Sequence, residues 1–394
     1  SSTPRSLSVW RAKPATPQSA RVIGFHPLRR RHSAATFFSP KTLGTAHTDV
    51  RRWSVSRVLV LKSGFSAEFE NLMDNRLAVA IITGTTASGK TAVALEFARS
   101  KSNGLIEIIN ADSLLLFRGM NIGTAKPNVA ELNEVRHHLV DLLDPDQAYT
   151  AGDYFREASA AIEEIHARGK RALVVGGSGF YIKALVFGLW AAPAAAPDLR
   201  MELRGLDSSE LHARLCGIDP KHAARISPND RYRITRALEV WRSTGKPPSI
   251  HEQEALDNSK AQSGLRPGFG LFFLDRPREE LRKRIEERTR QMLRAGLLAE
   301  ARALSTLYPD SRPLMAVGYR ESIRYLGQSL APPGRKLRPG EDGLCDEISL
   351  ATVQLVKRQR TWFNGQFAGM NRVWSLELDR DRAKLFEDLE KFYA

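Results

Sequence analysis

A glycine-rich octapeptide, Gly84–Thr91 (GTTASGKT), constrains this chain more than any other feature. It matches the phosphate-binding loop pattern G-x-x-x-x-G-K-[ST], in which glycines let successive backbone N–H groups point at one anion. The apolar, β-branched stretch Leu77–Thr83 precedes it and predicts a buried strand. Apolar residues at helical spacing follow over Thr91–Ser100, and a helix N-terminus favours negative charge. Strand, loop and helix together predict a phosphate or diphosphate site.

The loop residues have different predicted roles. We expect Lys90 to reach the terminal phosphate oxygens and the Thr91 hydroxyl to join a Mg²⁺ shell, so Mg²⁺ is the predicted cofactor. The backbone of the loop supplies the other diphosphate-binding candidates, Gly84, Thr85, Thr86, Ala87, Ser88 and Gly89. A glycine-rich strand-to-helix turn without a ligand is the alternative.

Positive charge is concentrated at the N-terminus. The chain has a net charge of +15, and residues 1–66 hold 12 of its 59 Lys and Arg with a single acidic residue, Asp49. An Arg-rich, Ser-rich and acid-poor segment is typical of a transit peptide. We therefore predict that residues 1–70 are a disordered segment that directs the protein to the chloroplast, or alternatively to the mitochondrion. A disordered basic arm that binds RNA stays open.

The composition also argues against several other classes. No apolar run reaches the roughly 18 residues that span a bilayer, so we expect no membrane partner. The two cysteines, Cys216 and Cys345, lack the spacing of a zinc site and are expected to fill the core. We expect a monomer.

Strand-like and helix-like segments alternate between residues 71 and 195. This alternation predicts an α/β core with a parallel sheet. Besides the segments around the loop, it comprises two strands and two helices: Leu105–Ile109, Arg171–Val175, Ala151–Gly169 and Gly179–Gly188.

The pattern changes after Ala191–Pro197, which we interpret as a hinge. Residues 196–265 then predict a helical insertion that binds RNA, and residues 266–394 a return to the core with C-terminal helices. The elements expected there are the helices Asn229–Thr244 and Arg278–Ala295, the strand Phe269–Leu274 and the loop Ala331–Gly343.

Polar residues follow two of the predicted strands. Asp112 lies just beyond Leu105–Ile109, and Ser178 just beyond Arg171–Val175. The carboxyl ends of neighbouring parallel strands border one crevice, so both should lie beside the phosphate loop. Asp112 could accept a proton or hold a water of the metal shell, or it could cap the next helix. Ser178 could donate to a phosphate oxygen, or it could be a turn serine.

Seven ordered segments resemble those of tRNA dimethylallyltransferases, and together they run from about residue 77 to 365. They are GTTASGKT and residues 110–127, 137–145, 149–158, 176–185, 227–240 and 357–363. The resemblance implies a P-loop NTPase-like core with a parallel sheet plus a mainly helical insertion and C-terminal region. It also implies that dimethylallyl diphosphate and tRNA are the partners. The dimethylallyl (isopentenyl) group would move to the exocyclic amine of an adenine next to the anticodon, and this base must be flipped out of its stack to react.

The resemblance further implies roles for individual residues. Asp112 matches the catalytic base. Ser178, the second catalytic candidate, stands where the family usually has Thr, which bonds near the leaving diphosphate and the tRNA. Arg233 and Arg236 match arginines that contact RNA and phosphate, with a solvated cationic helix face as the alternative. The remaining tRNA-binding candidates are Ser113, Leu114, Leu115, Tyr232, Tyr319 and Arg320.

Two departures from the family pattern concern the acceptor. Leu115 and Phe117 stand where the family commonly has Gln and Tyr. Leu115 removes an amide, and Phe117 keeps the ring but loses the hydroxyl. An RNA group left without its partner costs about 1–3 kcal/mol, so we expect these departures to affect acceptor preference more than the chemistry.

Three other functions compete with transfer to tRNA. An adenylate isopentenyltransferase would make cytokinin from free adenosine phosphates, but Asp112-Ser113 and Gly123–Pro127 favour the tRNA enzymes. A P-loop NTPase or kinase would need a strand-end carboxylate, which Val174–Gly177 lacks. A protein that only binds RNA would leave Lys90 and Thr91 without a use.

Two further patterns concern metal binding. A metal cluster of His137-His138 with Asp141, Asp144 and Asp146 is disfavoured because adjacent side chains diverge, and we interpret this segment as a structural turn. No paired Cys and His of a zinc knuckle follow residue 365, so the resemblance is to a bacterial-like plant organellar type.

Overall fold

The core of the protein is one parallel β-sheet. The computed structural model describes residues 78–101, 104–188, 197–261, 265–327, 340–367, 369–371 and 373–394. The predictions for residues 1–70, for the hinge up to residue 196 and for 331–339 lie outside these ranges. The strands are β1 Val79–Gly84, β2 Ile106–Asn110, β3 His137–His138, β4 Arg171–Gly176, β5 Phe269–Asp275 and β6 Val373–Glu377.

The strand order is β3-β2-β4-β1-β5-β6, and every neighbouring pair is parallel. This confirms the predicted α/β fold. All six residues of β1 are buried, since β1 has strands on both sides and helices on both faces. The strands β3 and β6 were not predicted, because β3 is only two residues long and β6 is only half-buried.

Helices cover both faces of the sheet. On one face lie α1 (Lys90–Ser100) and the C-terminal α14 (Leu378–Tyr393). The hydroxyl of Tyr393 donates to the carbonyl of Ala172 in β4 at 2.7 Å and thereby joins α14 to the sheet. The other face packs against α3 (Ala151–Ala167) and α4 (Gly179–Phe187), among others. The short helix α2 (Val129–Glu134) precedes β3.

The segment after the α/β core forms a small helical unit with a hydrophobic cluster of its own. Leu211, Leu215 and Ile234 are fully buried in this cluster. One of its helices, α8 (Arg231–Thr244), begins after Asp230, whose side chain accepts the Arg233 N–H. Gly245, whose φ is 71°, follows its last residue and ends the helix. The helices of the unit are α5 Pro197–Arg204, α6 Ser208–Ile218, α7 Pro220–Ala223, α8 Arg231–Thr244 and α9 Pro248–Ala261.

After β5 the chain is again helical. Its elements are α10 Arg278–Arg294, α11 Leu297–Leu307, a 3₁₀ turn Arg312–Met315, α12 Tyr319–Tyr325 and α13 Gly340–Phe367. The predicted loop Ala331–Gly343 is wrong in its last four residues, which begin α13. Acidic Glu341 and Asp342 suit the first turn of a helix, and Leu344 is buried. In the ranges described, no helix has the length and apolar character needed to cross a membrane.

Candidate active site

Three strand ends meet at the carboxyl edge of the sheet, because β2, β4 and β1 are neighbours. The backbone N–H of Ser178 donates to the Ala111 carbonyl at 3.0 Å. The backbone N–H of Ser113 donates to the Ser178 hydroxyl oxygen at 2.8 Å. A Cβ on Gly176 would lie 2.1 Å from the Ala111 carbonyl carbon, so only glycine permits this approach. The segments that follow β2 and β4 therefore converge, as predicted.

The phosphate loop lies beside this junction. Gly89 ends it with a φ of 95°, which favours glycine, and α1 begins at Lys90. Among the described residues, the hydroxyls of Thr85 and Ser88 are buried without a hydrogen-bond partner. Buried polar atoms are normally satisfied, so these two hydroxyls fit a loop that holds a polar ligand.

Lys90 is half-buried, and its ammonium lies 3.5 Å from the Thr85 carbonyl. The loss of water around it lowers the pKa of Lys90, Asp112 counteracts this effect, and Arg288 adds to it. A bound anion would stabilise the charged form of Lys90, because an opposite charge nearby favours the protonated ammonium.

Asp112 is fixed by local hydrogen bonds. Its backbone N–H donates to the amide oxygen of Asn110 at 2.8 Å, and its carboxylate accepts the Leu114 N–H at 3.0 Å. The Asn110 amide also donates to the Leu139 carbonyl at 2.8 Å. In the part of the chain that the structure describes, no helix follows Asp112 directly, so it caps a turn rather than a helix, while its charge acts on Lys90 and Arg288. Asn110 was not predicted as a site residue, yet its amide orients the backbone of Asp112.

Three arginines after β5 border the loop and were missed in the sequence. Arg276 is buried and donates through Nε to the Ser88 carbonyl at 2.7 Å. Arg284 donates through Nε to the Ala87 carbonyl at 3.1 Å, and Arg288 through Nη2 to the Thr124 carbonyl at 3.3 Å. Burial lowers the pKa of Arg288, and Asp112 counteracts this effect. The i, i+4 spacing of Arg284 and Arg288 was the available signal, since such residues share a helix face.

The long helix α13 also reaches the loop. Gln359 accepts the Thr86 N–H at 2.9 Å and donates to the Gly177 carbonyl at 3.4 Å. It therefore ties the loop to the turn that carries Ser178. The Ser178 oxygen accepts from Ser113, so its own proton is available for a ligand.

The predicted tRNA-binding residues fall into two groups. Leu114 and Leu115 are half-buried beside Asp112, and Phe117 is buried. Tyr319 is fully buried, and its hydroxyl donates to Glu300 at 2.6 Å, so an RNA contact would require this side chain to leave the core.

The other group lies at the surface, where Tyr232 and Arg233 are exposed and Arg236 and Arg320 are half-buried. Tyr232 is 52% exposed, and the Arg312 guanidinium lies 4.1 Å from its ring centroid. Arg233 pairs with Asp230, and Arg236 pairs with Glu239 at 3.0 Å. Arg320 pairs with Glu321. Contact of these residues with tRNA stays a prediction.

The side chains of His138 and Asp141, which belong to the disfavoured metal cluster, bind other protein side chains. His138 and Glu107 are joined by a 2.7 Å hydrogen bond, and Asp141 pairs with Lys126. Across the described ranges, no group of three or more His, Cys, Asp or Glu is placed to hold a metal ion.

The fold and site define an α/β protein of the P-loop NTPase-like class, with the loop at the carboxyl edge of its parallel sheet. Residues 115–366 match the family model described as IPP transferase. The tRNA dimethylallyltransferase 1 of Citrifermentans bemidjiense is 37% identical over 326 residues, which cover 82% of this chain and 99% of that one. The tRNA dimethylallyltransferase of a Polaromonas species is 43% identical over 291 residues, 71% and 86% of the two chains.

Solved structures agree with these relatives. The tRNA isopentenylpyrophosphate transferase of Bacillus halodurans matches with a TM-score of 0.54 and 29% identity, over 80% of this chain and 96% of that one. A eukaryotic dimethylallyltransferase acting on tRNA matches with a TM-score of 0.64 and 25% identity, over 79% and 77%. This chain belongs to the IPP transferase family.

Proposed function

We propose that this protein transfers the dimethylallyl group of dimethylallyl diphosphate to the exocyclic amine of an adenine next to the anticodon of tRNA. The observation that carries the proposal is the grouping of Lys90, Arg288 and Asp112 at the phosphate loop. The two cations can stabilise an anionic leaving group, and the carboxylate can act as the proton acceptor. The relatives described above support tRNA as the acceptor, since each of them is a tRNA-modifying transferase by name.

The chemistry follows from these charges. The carbon–oxygen bond of the donor breaks, a carbon–nitrogen bond forms, and diphosphate leaves with the bonding electrons. Lys90, Arg288 and the loop N–H groups stabilise the negative charge that develops on the diphosphate. The alkylated amine is positively charged and acidic, so the Asp112 carboxylate can take its proton.

We also propose that Mg²⁺ accompanies the donor. Magnesium takes one or two protein ligands and completes its shell with phosphate oxygens and water. The Thr91 hydroxyl at the start of α1, with Asp112 to orient a water, fits this donor set. When bound, the ion would neutralise charge on the diphosphate.

The function is tested by mass spectrometry of adenosines after the protein is incubated with dimethylallyl diphosphate, Mg²⁺ and either bulk tRNA or AMP. We expect isopentenyladenosine in tRNA and no modified AMP. Modified AMP would establish the cytokinin-forming alternative instead. Release of phosphate from ATP as the main activity would contradict the transferase function.

A separate prediction concerns how the protein grips tRNA. If Arg233 and Arg236 contact backbone phosphates, replacing both with alanine should weaken tRNA binding. The slope of the logarithm of the binding constant against the logarithm of the salt concentration should become shallower by up to about two units. Each arginine is held near a carboxylate, which keeps its guanidinium ordered. Binding should be measured over a series of salt concentrations with the chain begun at residue 71, because the basic N-terminal segment could bind RNA by itself.

Lys384 and Lys391 provide the matched control. Both are on α14, both pair with an acidic residue four positions away, and both are exposed. Their double replacement by alanine removes the same charge but should leave the slope unchanged. Equal slopes in the two double variants would show that Arg233 and Arg236 only contribute net charge.

A further inference from the structure

The carboxylate of Glu300 holds a second loop, residues 121–124, which lies near the active site and is distinct from the phosphate loop. The side chain of Glu300, in the first turn of α11, accepts the backbone N–H groups of Asn121, Ile122 and Gly123 at 3.1, 2.9 and 3.0 Å. Consecutive N–H groups that converge on one anion form the same kind of nest that a phosphate loop offers to its ligand. Here the anion belongs to the protein, so we expect this arrangement to hold the loop in one conformation.

Tyr319 completes the arrangement. Its hydroxyl donates to the Glu300 carboxylate at 2.6 Å, and its side chain is fully buried. A Cβ on Gly123 would lie 2.5 Å from Cζ of the Tyr319 ring, so the ring lies directly against the loop backbone. Glu300 and Tyr319 therefore hold the loop together, one by hydrogen bonds and the other by contact.

The same loop contacts an active-site cation. The carbonyl of Thr124, the next residue, accepts from Nη2 of Arg288 at 3.3 Å. Ala125 then has a φ of 52°, a conformation that is unfavourable for alanine and persists only where surrounding contacts impose it. Arg288 in turn acts electrostatically on Lys90 and Asp112. A short path therefore connects Glu300 to the charged centre of the site.

We propose that Glu300 and Tyr319 are positioning residues, which fix the Thr124 carbonyl and thereby aim the Arg288 guanidinium at a bound diphosphate. A guanidinium keeps its charge in proteins, so its effect on an anion depends on where it is held rather than on its protonation. The inference rests on the proposed function for the identity of the anion. It assigns to Tyr319 a role inside the protein in place of the predicted contact with tRNA.

Binding of inorganic diphosphate to the full chain, measured by calorimetry, tests this inference without tRNA or group transfer. Glu300→Gln loses the charge and turns an amide N–H₂ toward backbone donors, so we expect binding about tenfold weaker. Tyr319→Phe keeps the nest and removes one hydrogen bond, so about threefold weaker binding is expected.

The matched control is Glu321→Gln. Glu321 is also a buried carboxylate that accepts a backbone N–H, but its partners are the Gly318 N–H at 2.8 Å and the Arg320 guanidinium, and neither of them is in residues 121–124. Diphosphate binding should be unchanged in this variant. If both glutamate variants weaken binding equally, the effect is general loss of structure and the proposal is overturned.

A double-mutant cycle separates positioning from stability. In an Arg288→Ala background, Glu300→Gln should weaken diphosphate binding no further, because the residue through which it acts is gone. Independent, additive losses would contradict the proposal. If Glu300→Gln does not fold, the cycle of Tyr319→Phe with Arg288→Ala gives the same test. Failure to form isopentenyladenosine would overturn the proposed function and leave these binding results standing.

Discussion

Lys90→Ala is expected to lower the rate of dimethylallyl transfer by on the order of a thousandfold, even at saturating donor. The half-buried ammonium has lost surrounding water, which lowers the pKa of Lys90 and leaves the charge poorly solvated before the donor binds. A charge-assisted contact in such a site is stronger than one in water, and it strengthens further as the diphosphate leaves. Turnover with bulk tRNA, assayed by mass spectrometry of the nucleosides, measures the loss.

Lys101→Ala is the control for this substitution. Lys101 directly follows the other end of the same helix, α1, and pairs with the exposed Glu390. Exposed ion pairs contribute about 0–1 kcal/mol, so turnover should stay near that of the unaltered protein. Unaltered turnover by Lys90→Ala at saturating donor would refute the assignment of the loop as the diphosphate site.

Asp112→Asn should lower turnover by roughly a hundredfold or more and leave tRNA affinity nearly intact. Asparagine keeps the size of the side chain and an oxygen that can still accept the Leu114 N–H, which Asp112 holds at 3.0 Å. Local structure should therefore survive while the proton acceptor is lost. Single-turnover kinetics with preformed complex measure the chemical step apart from binding and release.

The alternative role of Asp112 predicts a different result. If its main task is to cap the turn or to contact RNA, the asparagine variant should transfer the group at a normal rate, with weaker tRNA binding or lower thermal stability. Asp112→Ala removes the cap as well as the charge. A further loss of stability in this variant alone would separate the two contributions.

Four of the six described strands (β1, β2, β4 and β5) and the phosphate loop were predictable from the sequence because their signals are local. A buried parallel strand is a continuous apolar run, as in β1 and β5, and the loop needs glycines at fixed spacing. Convergence of Asp112 and Ser178 on the loop also followed, since both come directly after strands and parallel strands end at one edge. These inferences required only neighbouring residues and a general rule of topology.

The residues that complete the site depended on the tertiary structure. Arg276, Arg284 and Gln359 contact the loop from positions about 190 to 270 residues further along the chain. Apart from the i, i+4 spacing of Arg284 and Arg288, nothing in their local sequence distinguishes them from solvated polar residues. Their role follows from which helix packs against the loop, which depends on interactions across the whole core.

The position of Tyr319 also depended on the tertiary structure, but here the sequence predicted a contact with RNA that the structure does not support. Tyr319 was predicted to contact tRNA, yet the tyrosine is buried and its hydroxyl donates to Glu300, 19 residues earlier in the chain. Whether a polar aromatic side chain faces RNA or the core depends on the partner available to its hydroxyl, because a buried hydroxyl needs a hydrogen bond.

The sequence by itself determined the phosphate loop and the sheet that presents it, through short-range apolar pattern and glycine geometry. Only the tertiary structure decided which distant charges surround the loop, because pairing of buried charges is set by packing between elements and not by spacing within them.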